Sequence, residues 1–424
     1  MATIKPFKGI RYNLSRVKDP GKVITPPYDV IGSAEQEKLH QDSPYNIIRL
    51  EYAKSSPADS PADNRYTRAA AAYQKWLEDG ILIPEENNCY YLYEQVFSYH
   101  SKEFKRRGVI AALKLTPYSE KVVLPHERTM AGPKADRMEL LKHLRTNVSP
   151  IFTLFPDPEQ RLDQLFAEVD YAKPAVVVEE DSGQTHRLWL LDDPALQDHL
   201  TAYLAPQPLL IADGHHRYET ALSYCQNEGS QGAPGSGFVL TIMVSMKDQG
   251  LLVLPTHRLL SGLDAEQIKG LFRIIELDFE LIDRGDPRRL NRDTFLEELS
   301  EVSRKRGGFG LITAGQASLL VPRDAAAADN LPVALLHERI LKPVLAPGES
   351  SEVDKKMLSY PHDLESALEA VLSRSADAAF ILDPIAVSKV LDHAMEGKVM
   401  PQKSTFFYPK LPSGLVLYNM DLSY

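Results

Sequence analysis

The chain has 424 residues but only two cysteines, Cys89 and Cys225, and this scarcity excludes two classes of protein. Two thiols cannot form a disulfide-stabilised scaffold and are too few for a zinc–thiolate site. The chain also lacks an apolar run of roughly 18 residues, and its N-terminus lacks the apolar core of a signal peptide, so neither a membrane span nor export is predicted. We therefore expect a cytoplasmic protein with no membrane partner.

Positive charge is not in excess either, since 48 Lys and Arg stand against 58 Asp and Glu, a net charge of −10. That balance argues against nucleic acid as a partner bound through overall charge. A hydrophobic content of 43% with 25% charged residues is typical of a soluble globular protein. The length predicts two or three core-forming units. We place module boundaries at 1–150, 151–325 and 326–424, and a homo-oligomer stays open.

The most informative segment runs from Leu209 to Leu222 and contains the sequence Asp-Gly-His-His-Arg. The apolar residues at its start predict the end of a buried strand, and the Ala and Leu spacing from Tyr218 onward predicts a helix. Residues 213–217 would then form an exposed strand-to-helix turn. Unpaired N–H groups at a helix start, with the positive end of the helix dipole, favour a phosphate or carboxylate.

Each residue of this turn has a chemical use in an anion site. Gly214 allows a sharp bend and a close approach of the backbone to a ligand. Arg217 offers two parallel hydrogen bonds to a phosphate, and the carboxylate of Asp213 suits a magnesium ion that screens the phosphate charge. The simpler interpretation is that Asp213 caps the helix and that His215 and His216 are surface residues.

Two further apolar runs, Val122–Leu124 and Leu251–Leu254, also end in polar groups. The groups that follow are His126, Glu127 and Arg128 in the first case, and His257 and Arg258 in the second. Three strands that each end in a His and Arg pair predict one polyanion pocket at an edge of a sheet, where ligands usually bind in α/β proteins. We expect Arg128, Arg217 and Arg258 to line it.

Other segments predict ordinary secondary structure. Residues 24–31 contain paired prolines, which forbid a helix and predict a rigid, extended turn with Asp29 in its middle. The apolar spacing of residues 65–79 predicts an amphipathic helix. Residues 90–97 and 109–115 predict strands of a hairpin around a charged turn at 102–107.

The tail contains Lys403-Ser-Thr405, which resembles part of a P-loop. The glycines that shape a P-loop are absent, so that interpretation fails. We predict instead an extended, aromatic-rich segment that packs as a late strand or covers the pocket, with Lys403 as a weak phosphate contact.

Together these motifs resemble a large prokaryotic family of uncharacterised proteins. The segments that carry the resemblance are residues 24–30, 45–50, 124–129, 213–221, 255–258 and 403–410, and they span the chain. The Asp213–Arg217 element is similar to the phosphate-binding element of the ParB and sulfiredoxin superfamily, and most closely to that of its free-serine kinases. The resemblance implies an α/β (α+β) fold, a mixed sheet with helices that carries this element. About 180 residues separate Asp29 from Asp213, which implies a long inserted or additional module.

The resemblance also implies an activity, transfer of a phosphoryl group from ATP or ADP to the hydroxyl of L-serine. Such a reaction needs phosphate donors, a divalent ion and a carboxylate base. Asp213 would hold Mg²⁺, and either Asp29 or Glu127 would be the base. The phosphate and nucleotide contacts, among which His216 is also a catalytic candidate, would be Gly214, His215, His216, Arg217, His126, Arg128, His257 and Arg258.

Two alternatives from other classes remain. A metal-dependent hydrolase could bind zinc or iron through His and carboxylate ligands. Its ligands would be Asp213, His215, His216, His126 and His257. A ParB-like, nucleotide-dependent DNA-binding regulator would need a helix-turn-helix and a basic face, and the sequence presents neither clearly.

Overall fold

The computed structural model describes residues 1–228, 233–324, 330–345 and 357–422. The chain divides into two compact units. The first comprises Met1–Leu252, Leu391–Gly397 and Pro409–Tyr424, and the second comprises Val253–Val390 and Lys398–Tyr408. The predicted module boundaries at 150 and 325 stay a prediction. Strands from both sides of residue 150 pair within one sheet of the first unit.

The first unit is built on a nine-stranded sheet. In chain order its strands are β1 (Ile4–Lys5), β2 (Tyr90–Tyr99), β3 (Lys102–Lys114), β4 (Val123–Leu124), β5 (Ile151–Phe155), β6 (Val176–Glu179), β7 (Thr185–Leu191), β8 (Leu209–Asp213) and β9 (Phe238–Ser245). The spatial order is β4-β8-β5-β9-β3-β2-β7-β6, with β1 beside β3. The pairs β4/β8 and β5/β9 are parallel and the others antiparallel, so the predicted mixed sheet is confirmed.

The hairpin of β2 and β3 is longer than its sequence pattern predicts. The chain reverses at His100 and Ser101, which both adopt the left-handed conformation, and residues 102–107 belong to β3. The predicted turn at 102–107 is therefore wrong. The charged residues suggested a turn. Charged side chains also occur on the solvent-facing side of a strand, however, where they alternate with buried side chains.

The helices of the first unit include the amphipathic helix predicted at residues 65–79. They are α1 (Ser33–Asp42), α2 (Ile48–Glu51), α3 (Arg65–Glu78), α4 (Ala131–Leu144), α5 (Arg161–Phe166), α6 (Pro194–Leu204) and α7 (His215–Glu228). The Asn64 side chain caps α3 by accepting from the backbone N–H groups of Tyr66 and Thr67. One buried cluster includes Tyr73 and Trp76 of α3 with Ile47 and Leu50, so the predicted amphipathic helix is confirmed.

The second unit is an antiparallel sheet with helices. Its strands are β10 (Arg258–Leu260), β11 (Phe279–Gly285), β12 (Phe309–Ile312), β13 (Ala317–Pro322), β14 (Leu358–Ser359) and β15 (Ala378–Ile381), in the order β11-β13-β12-β15-β10-β14. Its helices are α8 (Ala265–Asp278), α9 (Arg292–Arg306), α10 (Pro332–Leu336), α11 (Lys342–Val344) and α12 (Leu364–Leu372), and α13 (Val387–Met395) follows. The tail forms a late strand at Phe406–Tyr408, as predicted.

The core of the second unit lies between its sheet and two of its helices. Phe295 and Leu299 of α9 and Leu368 of α12 pack on Ile312 and Leu319. In the ranges described above, none of the helices combines the length and the apolar character that a membrane span requires.

Candidate functional site

Two of the three predicted strand ends lie side by side in the first unit. Strand β4 runs parallel to β8, with Val123 opposite Leu209 and Leu124 opposite Leu210. Parallel strands end at the same edge of a sheet, so His126 and Glu127 emerge beside Asp213. The structure therefore brings together two motifs that are about 85 residues apart in the sequence.

The turn between β8 and α7 depends on Gly214. Its φ angle is +92°, and a Cβ atom there would lie 3.1 Å from the guanidinium of Arg217. The N–H of Tyr218 donates to the carbonyl of Gly214 at 2.9 Å. Helix α7 thus begins at His215 and not at Tyr218 as predicted, because this single glycine completes the reversal. His215, His216 and Arg217 occupy the first helical turn.

Asp213 holds two cations at the start of α7. Its Oδ2 accepts from Nη2 of Arg217 at 2.5 Å, and its Oδ1 accepts from the ammonium of Lys410. Arg217 also donates to the carbonyl of Pro150. The side chain of Arg217 is only 11% exposed, so the expectation of an exposed turn is wrong. The turn is covered because Lys410 and the Pro150 backbone pack against it.

These charges fix the protonation state of Asp213. Burial alone would raise the pKa of this carboxyl, but the positive charges of Lys410 and Arg217 outweigh burial and lower the pKa to about 2. Asp213 is therefore an anion at neutral pH. A carboxylate already paired with two cations does not fit the role of a metal ligand, because both cations would repel Mg²⁺.

Histidines 126 and 215 form a buried pair behind this cluster. Nδ1 of His126 lies 2.7 Å from the carbonyl oxygen of Ile211, so Nδ1 carries the proton. Nε2 of His215 accepts from the backbone N–H of His126 at 3.3 Å. Burial lowers the pKa of His126 to about 4, and burial also holds the pKa of His215 well below its usual value. Both rings are neutral at pH 7.

The other residues of the two motifs lie around the first turn of α7. Nε2 of His216 accepts from the N–H of Met130 at 2.9 Å, and burial lowers its pKa. Glu127 is half-buried and Arg128 is exposed. In the described residues no group of three or more His, Cys, Asp or Glu is arranged to bind a metal ion.

The segment around Asp29 also approaches α7. Burial would lower the pKa of Arg217, but the carboxylates of Asp213, Asp29 and Glu51 outweigh burial and raise it. Asp29 is exposed, and its neighbour Tyr28 packs its ring on the guanidinium of Arg137 at 4.0 Å. Tyr28 thus places this segment against α4, the helix that packs on α7.

The third motif belongs to the second unit. The N–H of His257 donates to the carbonyl of Pro361, and its Nδ1 accepts from the N–H of Leu382 at 3.2 Å. Arg258 is 2% exposed, donates to the carbonyls of Thr256 and Lys403, and lies 5.2 Å from the ring of Tyr360. These contacts stabilise the local structure of the second unit. One pocket shared by Arg128, Arg217 and Arg258 stays a prediction.

Three residues of the site were not singled out from the sequence, namely Lys410, Arg137 and Glu51. Lys410 lies in the Tyr408-Pro-Lys410 motif, so its position in a motif was the available signal. Arg137 and Glu51 are 6% and 1% exposed. Buried charged side chains are rare unless paired, but a sequence does not reveal burial at single positions.

The neutral histidine pair predicts a loss of stability in acid. Because the folded-state pKa of His126 is about 4, below its ordinary 6.5, the unfolded chain takes up the proton first. The stability is fully present above pH 6.5 and falls as the pH drops toward 4, by about 3 kcal/mol for this group. We expect His126→Gln to flatten the fall when urea unfolding is measured between pH 7.5 and 4.5. The exposed His143 gives a control, and a His143→Gln profile as flat as that of His126→Gln would contradict the prediction.

Comparisons with known proteins give a family and several distant structural likenesses. Residues 4–339, about four fifths of the chain, match the DUF1015 family, which is described as "Protein of unknown function". No curated protein matches the sequence.

Three solved structures illustrate the likenesses. A conserved hypothetical protein from Pyrococcus furiosus is 15% identical, with a TM-score of 0.38 over 74% of this chain and 97% of that one. A free serine kinase in complex with AMP is 16% identical, with a TM-score of 0.38 over 74% and 93%. SbnI from Staphylococcus aureus, truncated at its C-terminus, is 9% identical, with a TM-score of 0.37 over 72% and 87%. Likeness of this degree carries no information on activity, whereas the match to the family covers most of the chain: the protein belongs to the DUF1015 family.

Proposed function

We propose that this protein is a small-molecule kinase that transfers a phosphoryl group from ATP or ADP to a free hydroxyl, with L-serine as the acceptor. The observation that carries the proposal is the cationic pair of Arg217 and Lys410, both held by the ionised Asp213 at the first turn of α7. Cations fixed before the ligand arrives stabilise transferred phosphoryl charge without reorganisation. The resemblance of residues 213–217 to a phosphate-binding element points the same way.

The proposed phosphate contacts come from the turn and its neighbours. The backbone N–H groups of Gly214, His215 and His216 stand at the positive end of the helix dipole. Arg217 donates through Nη1 to the carbonyl of Pro150 and through Nη2 to Asp213, and its guanidinium has further N–H groups with which to bind a phosphate oxygen. Arg128, which is exposed, adds a further cation to the proposed contacts. His126 is neutral at pH 7, and His257 and Arg258 belong to the second unit, so none of these three is counted among the phosphate contacts.

A carboxylate must also accept the proton of the acceptor hydroxyl. Asp29 and Glu127 are the two candidates, since Asp29 follows Tyr28, which packs on Arg137 of α4, and Glu127 leaves β4 next to Asp213. A base of this kind orients the hydroxyl and removes its proton as the oxygen attacks the phosphorus.

Magnesium remains part of the proposal as an ion that arrives with the nucleotide. Mg²⁺ keeps several waters and is usually bound through substrate phosphates with one or two carboxylates. Asp213 is then the counter-ion of Arg217 and Lys410 and not a ligand of the metal. When bound, Mg²⁺ would neutralise phosphate charge.

Nucleotide binding gives a first test. ATP or ADP at millimolar concentration should raise the melting temperature, because a ligand at about 100 times its Kd stabilises the folded state by about 2.7 kcal/mol. Arg217→Ala should abolish most of the shift. Arg187→Ala is a matched control, since Arg187 pairs with Glu94 on the sheet. A wild-type protein with no shift for either nucleotide would count against a kinase.

Elemental analysis separates the kinase from the metal-dependent hydrolase. A kinase that meets Mg²⁺ on its nucleotide should be purified without stoichiometric transition metal, because magnesium exchanges readily. One zinc or iron per chain, lost together with activity on chelation, would instead support the hydrolase. The control is the same preparation reloaded with Mg²⁺ alone.

A further inference from the structure

A small cavity lies beside the candidate phosphate site in the first unit. Its volume is about 50 Å³. It is bordered by α4, α7 and residues 146–149, and its polar lining includes Glu51, Arg137, Ser149, Arg217 and Thr220. Arg217 therefore borders the cavity and also binds Asp213. A molecule in the cavity would lie next to the guanidinium that forms the cation pair with Lys410.

The carboxylate of Glu51 is the part of the cavity lining that points to a ligand. The residue is 1% exposed. Its Oε1 accepts from Ser149 Oγ at 3.0 Å and lies 3.5 Å from Nη1 of Arg137. Its Oε2 is buried and has no hydrogen-bond partner among the described residues. A buried carboxylate oxygen without a donor is costly, so the arrangement is suited to a donor that enters the cavity.

The charges around the cavity restrict that donor. Arg137 and Arg217 would repel a simple cation, yet Glu51 Oε2 requires an N–H or O–H group. A zwitterion meets both conditions, because its ammonium can face Glu51 while its carboxylate faces the guanidinium groups. Water can also donate to Glu51 and accept from the guanidinium groups, but it brings no formal charge to either, whereas a zwitterion forms a charge-assisted hydrogen bond with both.

We propose that this cavity binds the amino-acid acceptor, with its ammonium on the Glu51 carboxylate. The inference rests on the proposed function, since it names the part of the same site that selects the substrate. The volume holds about four water molecules, or roughly 120 Å³ of liquid, which admits a compound as small as serine and excludes a nucleotide.

The proposed base is connected to this cavity. Arg137 lines the cavity, and its guanidinium carbon lies 4.0 Å from the centre of the Tyr28 ring. Asp29 follows Tyr28 in the chain and acts electrostatically on Arg217. An acceptor held in the cavity would thus lie close to the segment that carries Asp29, which favours Asp29 over Glu127 as the base.

Calorimetric titration of the full-length protein with L-serine tests the proposal without requiring turnover. Wild type should bind L-serine more tightly than glycerate, which has a hydroxyl in place of the ammonium. Glu51→Gln keeps the shape and removes the charge, so L-serine binding should weaken on the order of 10- to 100-fold while glycerate binding changes little. Where turnover is measured, KM should rise and kcat should stay within a few-fold.

Two further variants keep the test decisive. Glu94→Gln removes another buried carboxylate, one paired with Arg187 on the sheet, and should leave L-serine binding unchanged. Ala221→Leu narrows the cavity and leaves Glu51 intact, so it should also weaken binding, which covers the case in which Glu51→Gln does not fold. Wild-type protein that does not bind L-serine, or variants of Glu51 and Ala221 that bind it normally, would overturn the proposal.

The outcomes also separate this inference from the proposed function. Serine binding that depends on Glu51, without any phosphorylated product, would support the cavity and contradict the kinase. Formation of O-phosphoserine with an unchanged KM in Glu51→Gln would support the kinase and contradict the cavity.

Discussion

Removal of the carboxylate that accepts the hydroxyl proton is expected to lower kcat for L-serine phosphorylation on the order of 10²- to 10⁴-fold. The two variants are Asp29→Asn and Glu127→Gln, which preserve size and hydrogen-bonding capacity but not basicity. The variant of the true base should lose rate with little change in nucleotide affinity, and the acidic limb of its pH–rate profile should disappear. Steady-state kinetics from pH 5 to 9 provide the measurement.

The control for both variants is Glu35→Gln, a carboxylate exposed on α1. It should retain the wild-type kcat and pH profile. If Asp29→Asn and Glu127→Gln both keep kcat within a few-fold of wild type, neither carboxylate is the base, and the assignment of the hydroxyl proton is wrong.

Arg217→Lys is expected to impair phosphoryl transfer nearly as much as Arg217→Ala, on the order of 10²-fold or more in rate. Lysine keeps the positive charge but lacks the planar guanidinium with its two Nη groups. In the structure one Nη of Arg217 donates to Asp213 and the other donates to the carbonyl of Pro150. Since the side chain is 11% exposed, Arg217→Ala should also lower the free energy of unfolding, by about 2 kcal/mol.

Kinetics and urea unfolding on the same preparations distinguish the possible roles of Arg217. Full activity in Arg217→Lys would mean that charge alone suffices there. Collapse of folding in both variants would mean that Arg217 is a structural tie and not a phosphate ligand. Arg187→Ala again serves as the control, because Arg187 also pairs with a carboxylate but lies on β7.

Local patterns in the sequence predicted the elements around the site. An apolar run followed by a glycine identified the strand and turn of residues 209–214, and β4 and β8 do end at one edge. The helix start was placed three residues late, because apolar spacing first appears after Tyr218 whereas the backbone already closes on Gly214. Periodicity reports the buried face of a helix and not its first turn.

Contacts between residues that lie far apart in the chain could not be predicted from the sequence. Lys410 lies 197 residues from Asp213, and nothing in local periodicity links them. The same holds for Glu51, Arg137 and Tyr28, which meet only because α2, α4 and the proline-rich segment of residues 24–31 fold next to α7. The proposed acceptor cavity could therefore not be predicted from the sequence.

Phosphorus NMR of the purified protein with ATP or ADP, magnesium and L-serine tests the central claim most directly. We predict a new signal of O-phosphoserine that grows as the nucleotide loses one phosphoryl group, with no such signal in Arg217→Ala. Consumption of nucleotide to inorganic phosphate alone, or no consumption with any free amino acid supplied, would contradict the proposal that this protein is a free-serine kinase.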